Sequence, residues 1–177
     1  MRKWLAFLLA VIVLAVIHEG THAVVAAFYN EYEAFHIRPL GFEATFRTPV
    51  SQRSGVQWAF ISGASNLVTL TVGYLLLLVG HRFAHSRTAF LKMGIYRLTM
   101  LSLLVDPFNL SIGPFIYGGD ANGIAVGLDI NRYVIQVLFF LVLLVNRELV
   151  AQKLLPTYGV RTRHPLFRPW LQLAHQA

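Results

Sequence analysis

Two histidines and a glutamate stand together at His18-Glu19-Gly20-Thr21-His22, inside a run that is otherwise apolar from Trp4 to Phe28. Residues four apart on a helix lie one above the other on the same face, so His18 and His22 can offer two imidazoles to a single ion. Glu19 projects about 100° away from His18, close enough to reach a water on that ion without being a ligand itself. Two imidazoles on zinc, with a carboxylate to take the proton of a water whose pKa falls toward about 7, is the chemistry of amide hydrolysis. Ionisable groups in the middle of an apolar helix are costly unless paired or metal-bound, and in a membrane they face an interior site by default. The bland alternative is packing, with the three side chains hydrogen-bonded to neighbouring helices.

Zinc held by two histidines needs a third protein ligand and an open position. The chain has no cysteine, which excludes thiolate sites, disulfide frameworks and CxxC redox chemistry and leaves imidazole or carboxylate as ligands. The run VDPFNLSIGPFIYGGDANGIAVG offers Asp106 and Asp120. Asp120 is preferred, because Gly118 and Gly119 before it and Gly123 after it let the backbone turn sharply and approach another element closely. Asp106, next to Pro107, also fits a helix-end cap, and both stay open as the third ligand.

These residues need a scaffold, and the composition says which kind. At 56% hydrophobic and 13% charged over 177 residues, the chain departs from the roughly 45–50% apolar, 25% charged usage of soluble domains. That argues against a water-soluble globule. The formal net charge is +7, yet the basic residues fall between apolar runs rather than along one polar face, which excludes a nucleic-acid partner. The clearest span is Val56 to Val79, 24 residues without a charge. Trp4 to Phe28 is a second, and Met93 to Val105 and Tyr133 to Val145 are shorter candidates. The expected fold is an all-α polytopic membrane protein of about four transmembrane helices.

Lys and Arg sort with that count. Ten lie in the N-terminus, in residues 80–92 and after Asn146, and only four (Arg38, Arg47, Arg53, Arg132) in the two intervening connections. The bias predicts a multi-pass protein of the cell membrane with N- and C-termini cytoplasmic. Met1-Arg2-Lys3 before an apolar run also fits a secretory leader, but a removable leader has no use for an ionisable cluster. Between the first two spans, Glu33 to Thr48 (EAFHIRPLGFEATFRT) has β-formers on either side of Pro39-Leu40-Gly41 and predicts a short membrane-associated β-hairpin. Residues 1–147 read as an integral-membrane core and 148–177 as a basic juxtamembrane tail. Its RTRHPLFR stretch suits contact with the lipid bilayer. A second i, i+4 pair, His81 and His85, suggests a non-enzymatic metal- or haem-binding protein, although solvated histidines at the membrane interface are the ordinary outcome there. A proteolytically silent scaffold that keeps the motif for structure is the third class.

Three separated pieces, in order, resemble the site-2 protease family of intramembrane zinc metalloproteases. His18-Glu19-Gly20-Thr21-His22 matches that family's His-Glu-x-x-His. Ser62-Gly63-Ala64-Ser65-Asn66 is similar to its Gly-x-x-Asn, with Ala64 where proline is usual. Asn109 through Pro114 to Asp120 resembles its Asn-x-x-Pro-x-Pro-x-x-Asp-Gly, with Ala121 in place of the final glycine. The resemblance implies a zinc ion on His18, His22 and Asp120, Glu19 as general base, and Asn66 and Asn109 positioning the substrate backbone or polarising its carbonyl. It implies regulated intramembrane proteolysis, the partner being a membrane-protein substrate helix that must be unwound and can be held extended by strand addition to the hairpin. Family members open toward the cytosol, whereas a cytoplasmic N-terminus here puts His18 toward the far leaflet, on the side of the hairpin and of Asp120.

Overall fold

The computed structural model describes residues 2–38, 41–116 and 119–170. Pro39 and Leu40 of the expected hairpin break, Gly118, and the end of the tail lie outside the described residues. Helix α1 (Arg2–Phe28) runs unbroken through the His-Glu-Gly-Thr-His stretch. Strands β1 (Tyr32–Arg38) and β2 (Gly41–Phe46) follow as an antiparallel hairpin, pairing Phe35 with Ala44 and His36 with Glu43. Then come α2 (Gln57–Leu78), a short α3 (Gly80–Ala84), α4 (Ala89–Ser111), α5 (Asp120–Leu128) and α6 (Arg132–Leu149). The last continues through a π turn at Val150–Leu154 to Thr157, past the domain boundary expected at 147.

The protein is therefore mostly helical with one small sheet. Three of its helices, Lys3–Phe28, Gln57–Leu78 and Arg132–Thr157, are long and apolar enough to cross a membrane. Four were expected; α4 spans 23 residues but carries Lys92, Arg97 and Asp106 and falls outside that set. Many large apolar side chains point outward, Trp4, Leu5, Leu8, Val24 and Phe28 on α1 among them. Such a surface suits lipid.

Inside, α1, α2 and α4 pack on one another, α6 packs on α4, and α5 on α2. The buried face of α2 reads Trp58, Ile61, Ser62, Ser65, Asn66, Thr69, Leu70, Gly73, a helical stripe dominated by small and polar residues. Small residues let helix backbones approach, the main source of association where lipid is as apolar as leucine. At Gly73 an added Cβ would lie 3.0 Å from Ser102 Cβ on α4. Between α5 and α2 the approach is closer still, since a Cβ on Gly127 would sit 2.1 Å from the Ala59 backbone nitrogen. Helix α4 contains Pro107, which cannot donate to the carbonyl of Leu103. Asn146 of α6 supplies the missing donor, its Nδ2 giving a 2.8 Å bond to Leu103 O, while its Oδ1 accepts from Tyr74 OH at 2.6 Å.

Helix directions follow from these contacts. Arg97 donates to Lys3 O and Asp106 meets His18, so α1 and α4 run parallel. His22 meets Ile61, Thr69 meets Asp106, and Gln136 meets Ser111, so α2 and α6 run the other way. The hairpin and α5 consequently share one end of the bundle. A cluster of Ala26, Trp58 and Ile61, joined by Tyr32 and Phe46, seats the hairpin there.

Candidate metal centre

His18 and His22 project from successive turns of α1 toward α2, α4 and α5, and their inward nitrogens are fixed by the groups on the outer edge of each ring. His22 Nδ1 lies 2.6 Å from the carbonyl oxygen of Ile61, which can only accept, so Nδ1 carries the proton and Nε2 the lone pair. His18 Nδ1 lies 3.2 Å from Asp106 Oδ1, within ion-pair distance though off the line of a hydrogen bond. Asp106 is in turn held through its other oxygen by the hydroxyl of Thr69. A carboxylate or carbonyl on the far nitrogen is the arrangement that orients metal-ligating histidines.

Both Nε2 atoms then meet Asp120. They stand 3.2 Å from each other; Asp120 Oδ2 is 3.3 Å from His18 Nε2, and Oδ1 is 3.3 Å from His22 Nε2. A tetrahedral ion with bonds of about 2.0–2.1 Å spaces its ligands about 3.3–3.4 Å apart. His18, His22 and Asp120 can therefore hold a metal ion, and they are the one such group among the described residues. Asp106 faces the opposite edge of the His18 ring, outside that group. Asp120 opens α5 directly after Gly119, whose φ of +90° lies where glycine is at ease. Gly123, a turn later, is so close to α2 that a Cβ would fall 1.9 Å from Ser62 Oγ. Asp120 reaches the histidines because small residues let α5 lie against α2.

Glu19 is half-buried beside the histidines, and its Oε2 accepts a 3.0 Å hydrogen bond from Ala44 N–H of β2. It shares a cleft of about 260 Å³ with His18, His22, Glu43, Phe46, Asn109 and Asp120. The structure thus brings His18, Glu19, His22, Asn109 and Asp120 to one cleft. Asn66 is placed otherwise: fully buried behind Asp120, it donates through Nδ2 to Ser62 O at 2.9 Å and to Asp120 Oδ2 at 3.0 Å. One amide proton holds the carboxylate and the other is tied to the helix's own backbone, so neither is offered to the cleft.

Three residues at the centre carry no signal as singles in the sequence. Ile61 contributes a main-chain carbonyl, Thr69 a hydroxyl, and Ser65 a hydroxyl 2.9 Å from His22 Nε2. Only the polar helical stripe along α2 could have pointed to them. The other pair, His81 and His85, is exposed on and after α3, and His85 Nδ1 bonds the His81 carbonyl at 2.7 Å. Comparison with protein-family models, with curated proteins and with solved structures finds no match.

Proposed function

We propose that this chain is an intramembrane zinc metalloprotease that hydrolyses peptide bonds of membrane-spanning substrates, in the manner of the site-2 proteases its motifs resemble. The observation that carries the reading is the convergence of two imidazole nitrogens and a carboxylate beside Glu19, at the wall of a cleft. With both imidazoles neutral their inward lone pairs would repel the carboxylate, and a metal cation among them removes that repulsion. Two imidazoles and one carboxylate at tetrahedral spacing suit zinc.

A zinc ion held by His18, His22 and Asp120 would polarise a peptide carbonyl and acidify water. Glu19 takes one proton from the attacking water as the oxygen–carbon bond forms. It passes that proton to the amide nitrogen as the carbon–nitrogen bond breaks, which leaves one carboxyl and one amine product. Asp106, held by Thr69, and the Ile61 carbonyl keep the imidazoles in register. Asn66 holds Asp120, and Asn109, on the cleft wall, orients the substrate backbone. Ala44 directs its N–H to Glu19 while Arg47 directs its own to Glu31 O, so the edge of β2 away from β1 looks into the cleft. An unwound substrate segment can pair with that edge.

In this reading α4 is a fourth span that tolerates its charges because three helices surround it. Both chain ends then fall on the basic, cytoplasmic side of the cell membrane. The test is elemental analysis of detergent-purified protein together with cleavage of quenched-fluorescent transmembrane peptides. About one zinc per chain is expected, in wild type and in Glu19→Gln alike, with turnover in wild type only. Folded wild type without zinc, or turnover retained by Glu19→Gln, overturns the proposal.

A further inference from the structure

Beside the cleft, on the other side of Asp120, lies a second cavity of about 310 Å³ that shares Phe46, Gly119 and Asp120 with it. A chain extended from the cleft past Asp120 would enter this lobe. Arg53, Ser62 and Asn122 also line it, and apart from Asp120 the arginine is the only ionised group among the described residues that line it. We infer that this lobe is a subsite for a carboxylate of the substrate, next to the bond that is cut. The inference rests on the proteolytic reading above and names a feature its substrates share.

The arginine is built as a receptor. Its Nε donates to Thr48 O at 3.3 Å, and its guanidinium lies over the Trp58 ring at 4.3 Å and the Phe46 ring at 5.1 Å. One bond and two aromatic faces hold the plane, while the terminal nitrogens have no hydrogen-bond partner among the described residues. The Ser62 hydroxyl and the Asn122 side chain are likewise unpartnered among the described residues. Three uncommitted polar groups lining one cavity suit an anion with more than one oxygen. A planar guanidinium fork matches a carboxylate with two parallel hydrogen bonds, which a point charge does not do.

Half-burial costs the guanidinium hydration and lowers its pKa from the ordinary value, and the nearby charge of Glu31 opposes that shift. Glu31 is already engaged, its Oε2 accepting from Thr48 N–H at 3.2 Å. Asp120 belongs to the metal centre, so the lobe has no anion of its own to spare. A carboxylate can reach it from an Asp or Glu side chain of the substrate or from a substrate chain end.

The test is binding, measured without turnover in zinc-loaded Glu19→Gln protein by fluorescence anisotropy of dye-labelled peptides in detergent. The probes are Leu/Ala transmembrane peptides with a central Gly-Asp or Gly-Asn and an amidated end, plus truncated peptides that end at the centre as free acid or amide. Tighter binding of an acid over its amide partner, by about tenfold, is expected. Preference within the Gly-Asp and Gly-Asn pair assigns the carboxylate to a side chain; preference within the truncated pair assigns it to a chain end. Arg53→Gln is expected to bring acid and amide affinities together and Arg53→Lys to restore only part of the difference, with zinc content and thermal unfolding confirming that both variants fold. Equal binding of every acid and amide pair, or a preference that survives Arg53→Gln, overturns the inference. Failure of the proteolytic reading looks different: wild type would leave every peptide intact while the acid preference persists.

Discussion

Two polar clusters buried among the described residues of this bundle differ in what they leave over. Behind Pro107, Asn146 accepts from Tyr74 OH and donates to Leu103 O, the one carbonyl that the proline strands. Each group used there is matched, donor to acceptor. At the hairpin end of the same bundle, His18, His22 and Asp120 bring two ring nitrogens and a carboxylate together at 3.2–3.3 Å. Burial of polar groups is common to both and so does not mark a site. Two imidazole nitrogens and a carboxylate converging at the spacing of metal ligands do, because an ion placed among them would meet all three.

That contrast can be broken from the metal side first. His22→Ala and Asp120→Asn should each weaken zinc binding by about a hundredfold or more, read by competition with a chelator, since each removes one of three ligands. If either variant lowers only the unfolding temperature, the cluster is packing like the one around Asn146. Asp106→Asn should cost less, about ten- to a hundredfold in zinc affinity, because it loosens the His18 ring without removing a ligand. A loss as large as that of Asp120→Asn would make Asp106 the third ligand instead. Gly127→Ala should push α5 off α2, costing about 1–3 kcal/mol in chemical denaturation and lowering zinc occupancy by displacing Asp120. The smallest effect belongs to the satisfied cluster: Asn146→Leu should destabilise by about 1 kcal/mol while zinc content stays at the wild-type value. Zinc loss in Asn146→Leu would mean that the two clusters are one cooperative unit.

How much of this can be read from residues in order follows the range of the interactions. The pairing of His18 with His22 is local, one helical turn, and is visible in the sequence. So is the hairpin, where β-formers flank a break. Asp120 stands out because glycines surround it. Hidden are the parts whose meaning lies on another element: Asp106 stays an open alternative for the third ligand until Thr69 and the far edge of the His18 ring are seen to flank it. Asn66 looks available to a substrate until Asp120 takes its amide. The apolar run Met93 to Val105 understates α4, which extends to Ala89–Ser111 with Asp106 buried between His18 and Thr69 and with Asn146 patching its proline. Helix α5 is nine residues with three glycines counting the one before it, weak in propensity, and is held by its fit to α2 rather than by its own preference.

The two ligand-bearing elements, α1 and α5, are far apart along the chain, His18 and His22 on one and Asp120 on the other. An ion that binds all three can do so only in the assembled bundle, so mass action would make it a fastener of the fold. At a free concentration about a thousandfold above its dissociation constant, it would add about 4 kcal/mol to the folded state, a large share of what holds a domain of this size together. Metal supply would then set how long the protein survives in the membrane as well as whether it is loaded.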